Sequence, residues 1–179
     1  MLKISTMISR LLMIGLLTIA SVRAAEPLDF TVGDFRFERP AGWAWLQPSS
    51  SMRKAHLAVK SEDGSPADVI FFHFGPGQGG STQANIDRWL AQFQNAKSST
   101  SMVETNGTKV HFVEAEGTFL SGMPGTQPVP LDGFALRGAI IESTGGDVYV
   151  KMTGPAPVVT GANKAFRQMV LDAAGRSAH

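Results

Sequence analysis

The chain has no cysteine. That excludes disulfides, thiol catalysis, Fe–S clusters, Cys-ligated zinc and lipidation as a bacterial lipoprotein. No G-x-S-x-G nucleophile elbow occurs, and no histidine pair has H-x-H or H-E-x-x-H spacing. Charge is sparse and balanced, with 16 Lys and Arg against 15 Asp and Glu. Beyond the first 24 residues no apolar run approaches the roughly 20 residues that a bilayer span needs.

What the N-terminus does have is an export signature. Lys3 and Arg10 precede the run Leu11-Leu12-Met13-Ile14-Gly15-Leu16-Leu17-Thr18-Ile19-Ala20. Positive residues, a short apolar core and then Val22-Arg23-Ala24 make up the pattern of a secretory signal peptide, with cleavage expected after Ala24. The alternative is an uncleaved anchor. Cleavage removes Lys3, Arg10 and Arg23, leaving 13 basic and 15 acidic residues and a net charge of −2. A near-neutral surface gives no reason to expect nucleic acid or anionic lipid as a partner. The expected destination is the periplasm or the exterior. The remaining ~155 residues suit one domain that buries about 68–70% of its unfolded surface, enough to fold without crosslinks.

Periodicity orders the rest. Residues 25–34 read as a short mobile start and 174–179 as a disordered tail, with one domain over 35–173. Phe35-Arg36-Phe37-Glu38 alternates as a strand does, and Trp43 to Leu46 begins another after the turn at Arg39-Pro40-Ala41-Gly42. Ala55–Lys60 and Ala67–Phe74 flank Glu62-Asp63-Gly64; Met102–Thr105 and Lys109–Phe119 flank Asn106-Gly107; Phe134–Glu142 and Asp147–Met152 flank Thr144-Gly145-Gly146. Each is a hairpin signal, because such turns need positive φ. Asn106-Gly107-Thr108 also matches a glycosylation acceptor but reads first as a turn. Ser81 to about Ala96 predicts a helix with the stripe Ile86, Trp89, Leu90 and Phe93. A second helix follows Thr153-Gly154-Pro155, with Ala162, Phe166, Met169 and Ala173 on its stripe. The expected fold class is α+β: one antiparallel sheet flanked by two long helices.

The residues also resemble a known group. Phe37 to Pro40 followed by Gly42-Trp43 resembles the F-x-x-P-x-G-W opening of Mog1/PsbP-like domains. Phe72-x-Phe74-Gly75-Pro76-Gly77-Gln78-Gly79-Gly80, then Asn85-Ile86-x-x-Trp89 and Gln92-Phe93, is similar to an uncharacterised family of secreted bacterial proteins with that fold. Glu116-Gly117-Thr118-Phe119, Leu136-x-Gly138-Ala139-Ile140 and Lys151-Met152-Thr153-Gly154-Pro155 continue the likeness. It spans nearly all of 35–173. It implies an α/β/α sandwich serving as an accessory or binding module, and it supplies no catalytic residues.

Several constellations invite chemistry. Gly75, Gly77, Gln78, Gly79, Gly80 and Ser81 lie between a strand and a helix, and the run matches G-x-G-x-x-G. A helix N-terminus can hold an anion there. A dinucleotide needs a parallel βαβ unit and an acidic residue about 20 positions on, which the surrounding hairpin signals oppose. The simpler reading is a glycine turn with Ser81 as helix cap. His56, His73 and His111 sit on three separate strands, where they can meet a metal with Asp68 or Glu114 only if those strands converge. Glu114 and Glu116 share one strand face, a spacing suited to an acid/base pair or to a solvated face. Trp43 and Trp45 share a face and are either core or groove. The expectation is an exported, non-catalytic accessory or binding module without a cofactor. Its expected surface combines the Gly75–Gly80 loop with Met123, Pro124, Gln127 and Pro128 of the Pro/Gly-rich loop over 121–132. A hydrolytic or metal-assisted enzyme using His73, His111 and Glu114 or Glu116 is the alternative, and a structural envelope protein the third.

Overall fold

The computed structural model describes residues 26–61, 64–122 and 127–176. The expected signal-peptide segment, the last three residues of the expected tail, Met123 and Pro124 lie outside them. The elements, in chain order, are β1 (Asp29–Val32), β2 (Phe35–Glu38), β3 (Trp43–Leu46), β4 (Arg53–Val59), β5 (Ala67–His73), α1 (Thr82–Leu90), β6 (Phe93–Thr105), β7 (Thr108–Ser121), β8 (Val129–Ile141), β9 (Val148–Pro155) and α2 (Ala156–Arg176). β1 and β2 form a two-stranded sheet, and the rest form a seven-stranded sheet in the order β3-β4-β5-β9-β8-β7-β6. Every neighbouring pair is antiparallel.

The turn chemistry explains this order. Asn106 and Gly107 have φ of 48° and 78°, so both central residues of the β6–β7 hairpin are left-handed, as a tight right-twisting turn demands. The signals around Gly64 and at Thr144-Gly145-Gly146 likewise join adjacent strands, β4 to β5 and β8 to β9. β9 then slots between β8 and β5, at the centre of the sheet. It is buried at Val148, Tyr149, Val150 and Met152 because it has a strand on each side and a layer above and below.

Two cores lie on opposite faces. Odd positions of β5, β8 and α2's stripe join one: Val69, Phe71, Ala135, Ala139, Phe166 and Met169, with Phe35 and Phe37 from the small sheet closing its edge. Phe37 and Phe71 meet edge-to-face at 5.0 Å. The other core packs Ile86, Trp89 and Phe93 on Val113, Leu136 and Ile140. Trp43 is buried and Trp45 packs partly buried against the first core, which makes both core residues rather than groove walls.

Three expectations need correction. α1 is not long: it has 9 residues, closes at a cap on Ala91, and gives way to β6 at Phe93. Phe93 still extends the Ile86–Trp89 stripe because the chain turns and keeps it in the same core. Residues 25–34, expected as a mobile start, include β1, whose Phe30 stacks on Phe37 at 5.5 Å. Helix α2 continues through Arg176, past the expected boundary at 173, with Ala173 and Ala174 still buried.

Candidate functional site

A polar cleft interrupts the face covered by α2. Strand alternation puts Glu114 and Glu116 on the same side of β7 as the core residues Val110 and Phe112. Register aligns Glu114 with Ser99 of β6 and Arg137 of β8, and Glu116 with Lys97. These side chains line an open cleft of about 290 Å³. Its four ionic groups are two cations and two carboxylates, so its own charge is near zero.

Arg137 is the unusual member. It occupies a core-face position between Ala135 and Ala139 and is only 7% exposed. Its Nη1 donates to the Leu136 carbonyl at 2.9 Å and its Nη2 to Thr160 Oγ1 of α2 at 3.5 Å. Its Nε lies 3.8 Å from Glu114 Oε2, close enough for an ion pair but too far for a hydrogen bond. Among the described residues that Nε has no hydrogen-bond partner. Behind the carboxylate, Asn163 donates from Nδ2 to Glu114 Oε1 at 3.3 Å, while its own buried Oδ1 has no hydrogen-bond partner among the described residues. A buried donor on a charged group costs about 1–3 kcal/mol or more when unmatched.

The glycine loop is built differently. Ser81 caps α1, its Oγ accepting from Ala84 N at 3.2 Å, as the sequence suggests. Buried Asn85 donates to the carbonyls of Gly79 at 2.9 Å and Ser81 at 3.0 Å, and Arg88 donates to Asn85 Oδ1 at 3.1 Å. Gly79 has φ +92°, and a Cβ there would meet Tyr149 Oη at 2.6 Å. Only glycine combines that backbone with that approach. The loop's polar groups thus hold the loop itself. The strand after α1 is β6, separated from β5 by β9, β8 and β7, so there is no adjacent parallel pair of the dinucleotide-binding kind.

Gln127 and Pro128 are exposed and lead into β8. They do not share a surface with the glycine loop. Register pairs His73 with Val148 at the start of β9, and Phe134 with Pro155 at its end, so the two loops leave opposite ends of the sheet. The histidines also stay apart. His56 bonds Asp68 at 2.8 Å, His111 bonds Glu142 at 2.7 Å, and His73 approaches the Asp147 carbonyl at 3.3 Å. His56 and His111 are four strands apart, about 19 Å at ~4.8 Å per strand. His111 also points to the face opposite Glu114. No cluster of three metal-ligating residues occurs among the described residues. Tyr149 is held above its usual pKa by burial, then by the Asp147 carboxylate, with Arg88 opposing.

The sequence signals for the cleft were partial. The Glu114/Glu116 spacing is visible. Arg137 was missed, although a lone arginine in the core register of an apolar strand is a readable signal.

The fold has a counterpart among solved structures. Cyanobacterial PsbP, CyanoP, from Synechocystis sp. PCC 6803 superposes with a TM-score of 0.52 at 11% identity, covering 86% of this chain and 94% of that one. The protein therefore has a PsbP-like α+β fold. A Pseudomonas aeruginosa protein of unknown function, described as a putative regulator, gives a TM-score of 0.42 at 12% identity over 80% of this chain and 92% of that one. No family model matches the chain, and no curated protein matches it.

Proposed function

We propose that the chain is an exported, non-catalytic binding module of the periplasm or exterior, and that its ligand is a small polar molecule held in the Arg137–Glu114 cleft. The export half rests on Lys3, Arg10, the apolar run after them and Ala24. The observation that carries the binding half is Arg137, a buried guanidinium that lines the cleft and whose Nε has no hydrogen-bond partner among the described residues. The balanced lining favours a neutral or zwitterionic molecule over a polyanion. Glu116 and Lys97, both exposed, stand at the mouth and can add hydrogen bonds.

A thermal-shift panel of free sugars, amino acids and small amides tests this reading on the mature protein. A ligand at 100 times its Kd adds about 2.7 kcal/mol, and about 5–10 °C for a domain of this size. The expected result is a shift that disappears in Arg137→Met and shrinks in Lys97→Ala, a surface change that leaves the fold intact. A shift equal in both variants and wild type places binding elsewhere. No shift from any panel member removes the reading for these ligand classes.

A further inference from the structure

The opposite face of the sheet holds a second chemical group. Lys151 lies on β9 between Ile70 of β5 and Gly138 of β8. Its Nζ donates to Gln92 Oε1 and stands 5.4 Å from the centroid of the Phe119 ring. That ring packs on Phe93 at 5.1 Å and stacks on Phe134 at 6.1 Å, making an aromatic wall. Ile70, Gln92 and Phe119, which flank the amine, are uncharged, as is Trp89, which covers its cross-strand neighbour Gly138. The nearest titratable side chain on its own strand face is Tyr149. Lys54, Lys60, Lys97, Lys109 and Lys164 are all exposed, whereas Lys151 is partly covered. Burial penalises its ammonium form and brings the pKa down from 10.5 to about 8.

We propose that Lys151 is a carbonyl-capture site, whose amine condenses reversibly with a small apolar aldehyde lying against the Phe119 ring. The ammonium first releases a proton to water. The nitrogen lone pair then forms the C–N bond while the carbonyl π pair moves to oxygen. A proton passes from nitrogen to that oxygen, giving a carbinolamine. Loss of one water, carrying the former carbonyl oxygen, leaves an imine, and hydrolysis reverses the sequence. Gln92 Oε1 accepts an N–H of the amine and so orients the lone pair. The aromatic wall selects an aryl or alkyl aldehyde over a hydrated sugar. The site is independent of the Arg137 cleft, which lies on the other face.

Benzaldehyde with cyanoborohydride, followed by peptide mapping of the mature protein, is the test. At about pH 7.5 a pKa near 8 gives Lys151 a neutral fraction about 200 times that of an ordinary lysine. Reduced nucleophilicity takes back about tenfold, by analogy with thiols. The expected result is benzyl label at Lys151 about 20 times faster than at the exposed lysines, with a rate that levels near pH 8. Gln92→Glu supplies a carboxylate partner, restores the ammonium, and brings Lys151 to parity or below. Labelling of wild-type Lys151 no faster than Lys54 or Lys109, or a rate that climbs with theirs past about pH 9, overturns the proposal. Equal labelling of Lys151 in Gln92→Glu and wild type overturns the role of Gln92.

Discussion

Gly138 is where α1 docks, and adding one methyl group there tests the packing of that face. An ideal Cβ on Gly138 lies 2.4 Å from Trp89 Cζ3 and 2.6 Å from Cε3. Ordinary carbon contacts are about 3.5–4.0 Å. The indole must therefore withdraw by about 1 Å, and it has little room, being 7% exposed among Ile86, Leu136 and Ile140. Overpacking of this kind costs about 1–3 kcal/mol. Gly138→Ala should lose about 2 kcal/mol, which lowers the melting midpoint by about 4–8 °C for a domain of this size. Replacing flexible Gly by Ala in a strand would otherwise stabilise slightly, so the sign itself is informative. Calorimetry reads the loss, and hydrogen exchange should localise it to the amides of α1. Trp89→Leu removes the obstructing ring, so the double variant Trp89→Leu/Gly138→Ala should show a coupling of about 1–2 kcal/mol. A Gly138→Ala midpoint unchanged or raised, or an additive cycle, would refute the argument that this glycine exists to seat Trp89.

Lys151→Met should stabilise the protein at neutral pH. Burial lowers the folded pKa to about 8, so the unfolded chain binds more protons between pH 8 and 10.5, and wild-type stability rises with pH across that window. The full linkage is about 3 kcal/mol; after loss of the Gln92 and Phe119 contacts, denaturant melts should show a gain of about 1–2 kcal/mol at pH 7 that shrinks as pH rises and vanishes near about pH 9. A gain constant with pH would contradict the buried-charge origin. Tyr149 is the only tyrosine, so tyrosinate absorbance reads it alone. Its titration midpoint in the folded protein should lie above 10, and the stability it supplies should fall as pH rises from 10 through that midpoint; a midpoint at or below 10 would count against it. Ser81→Ala should cost about 1 kcal/mol in a thermal melt, the usual value of an N-cap, and no loss would show that the cap is idle.

Much of the sheet was legible because its information is local. Asn106-Gly107 and Thr144-Gly145-Gly146 specify turns within four residues, and alternation along Val148–Met152 marks one strand face without reference to anything distant. β6 was legible only from Met102, because it is an edge strand: Lys97-Ser98-Ser99-Thr100-Ser101 is exposed and shows no apolar alternation. Its polar sequence also discourages pairing with another chain. α1 was overextended because Phe93 continues a helical stripe that in fact crosses a turn. β1 was missed because its partner strand lies on the small sheet, whose pairing no periodicity announces. The cleft was illegible as a whole. Glu114, Arg137 and Asn163 meet only because β8 lies beside β7 and α2 folds back over both. Sequence showed the Glu114/Glu116 spacing but not the buried guanidinium that gives it a partner. The glycine loop has the opposite history: a motif conspicuous in sequence turns out to satisfy its own polar groups through Asn85 and Arg88.

A small molecule held in the Arg137 cleft should stay with the protein when it is isolated. Native mass spectrometry of the mature chain, released gently from the cell that makes it, tests that most directly, with Lys97→Ala and Glu116→Gln prepared the same way. The wild-type protein should carry an added small-molecule mass that is reduced in both variants. An added mass equally present in all three, or the bare mass of residues 25–179 in every preparation, would contradict it.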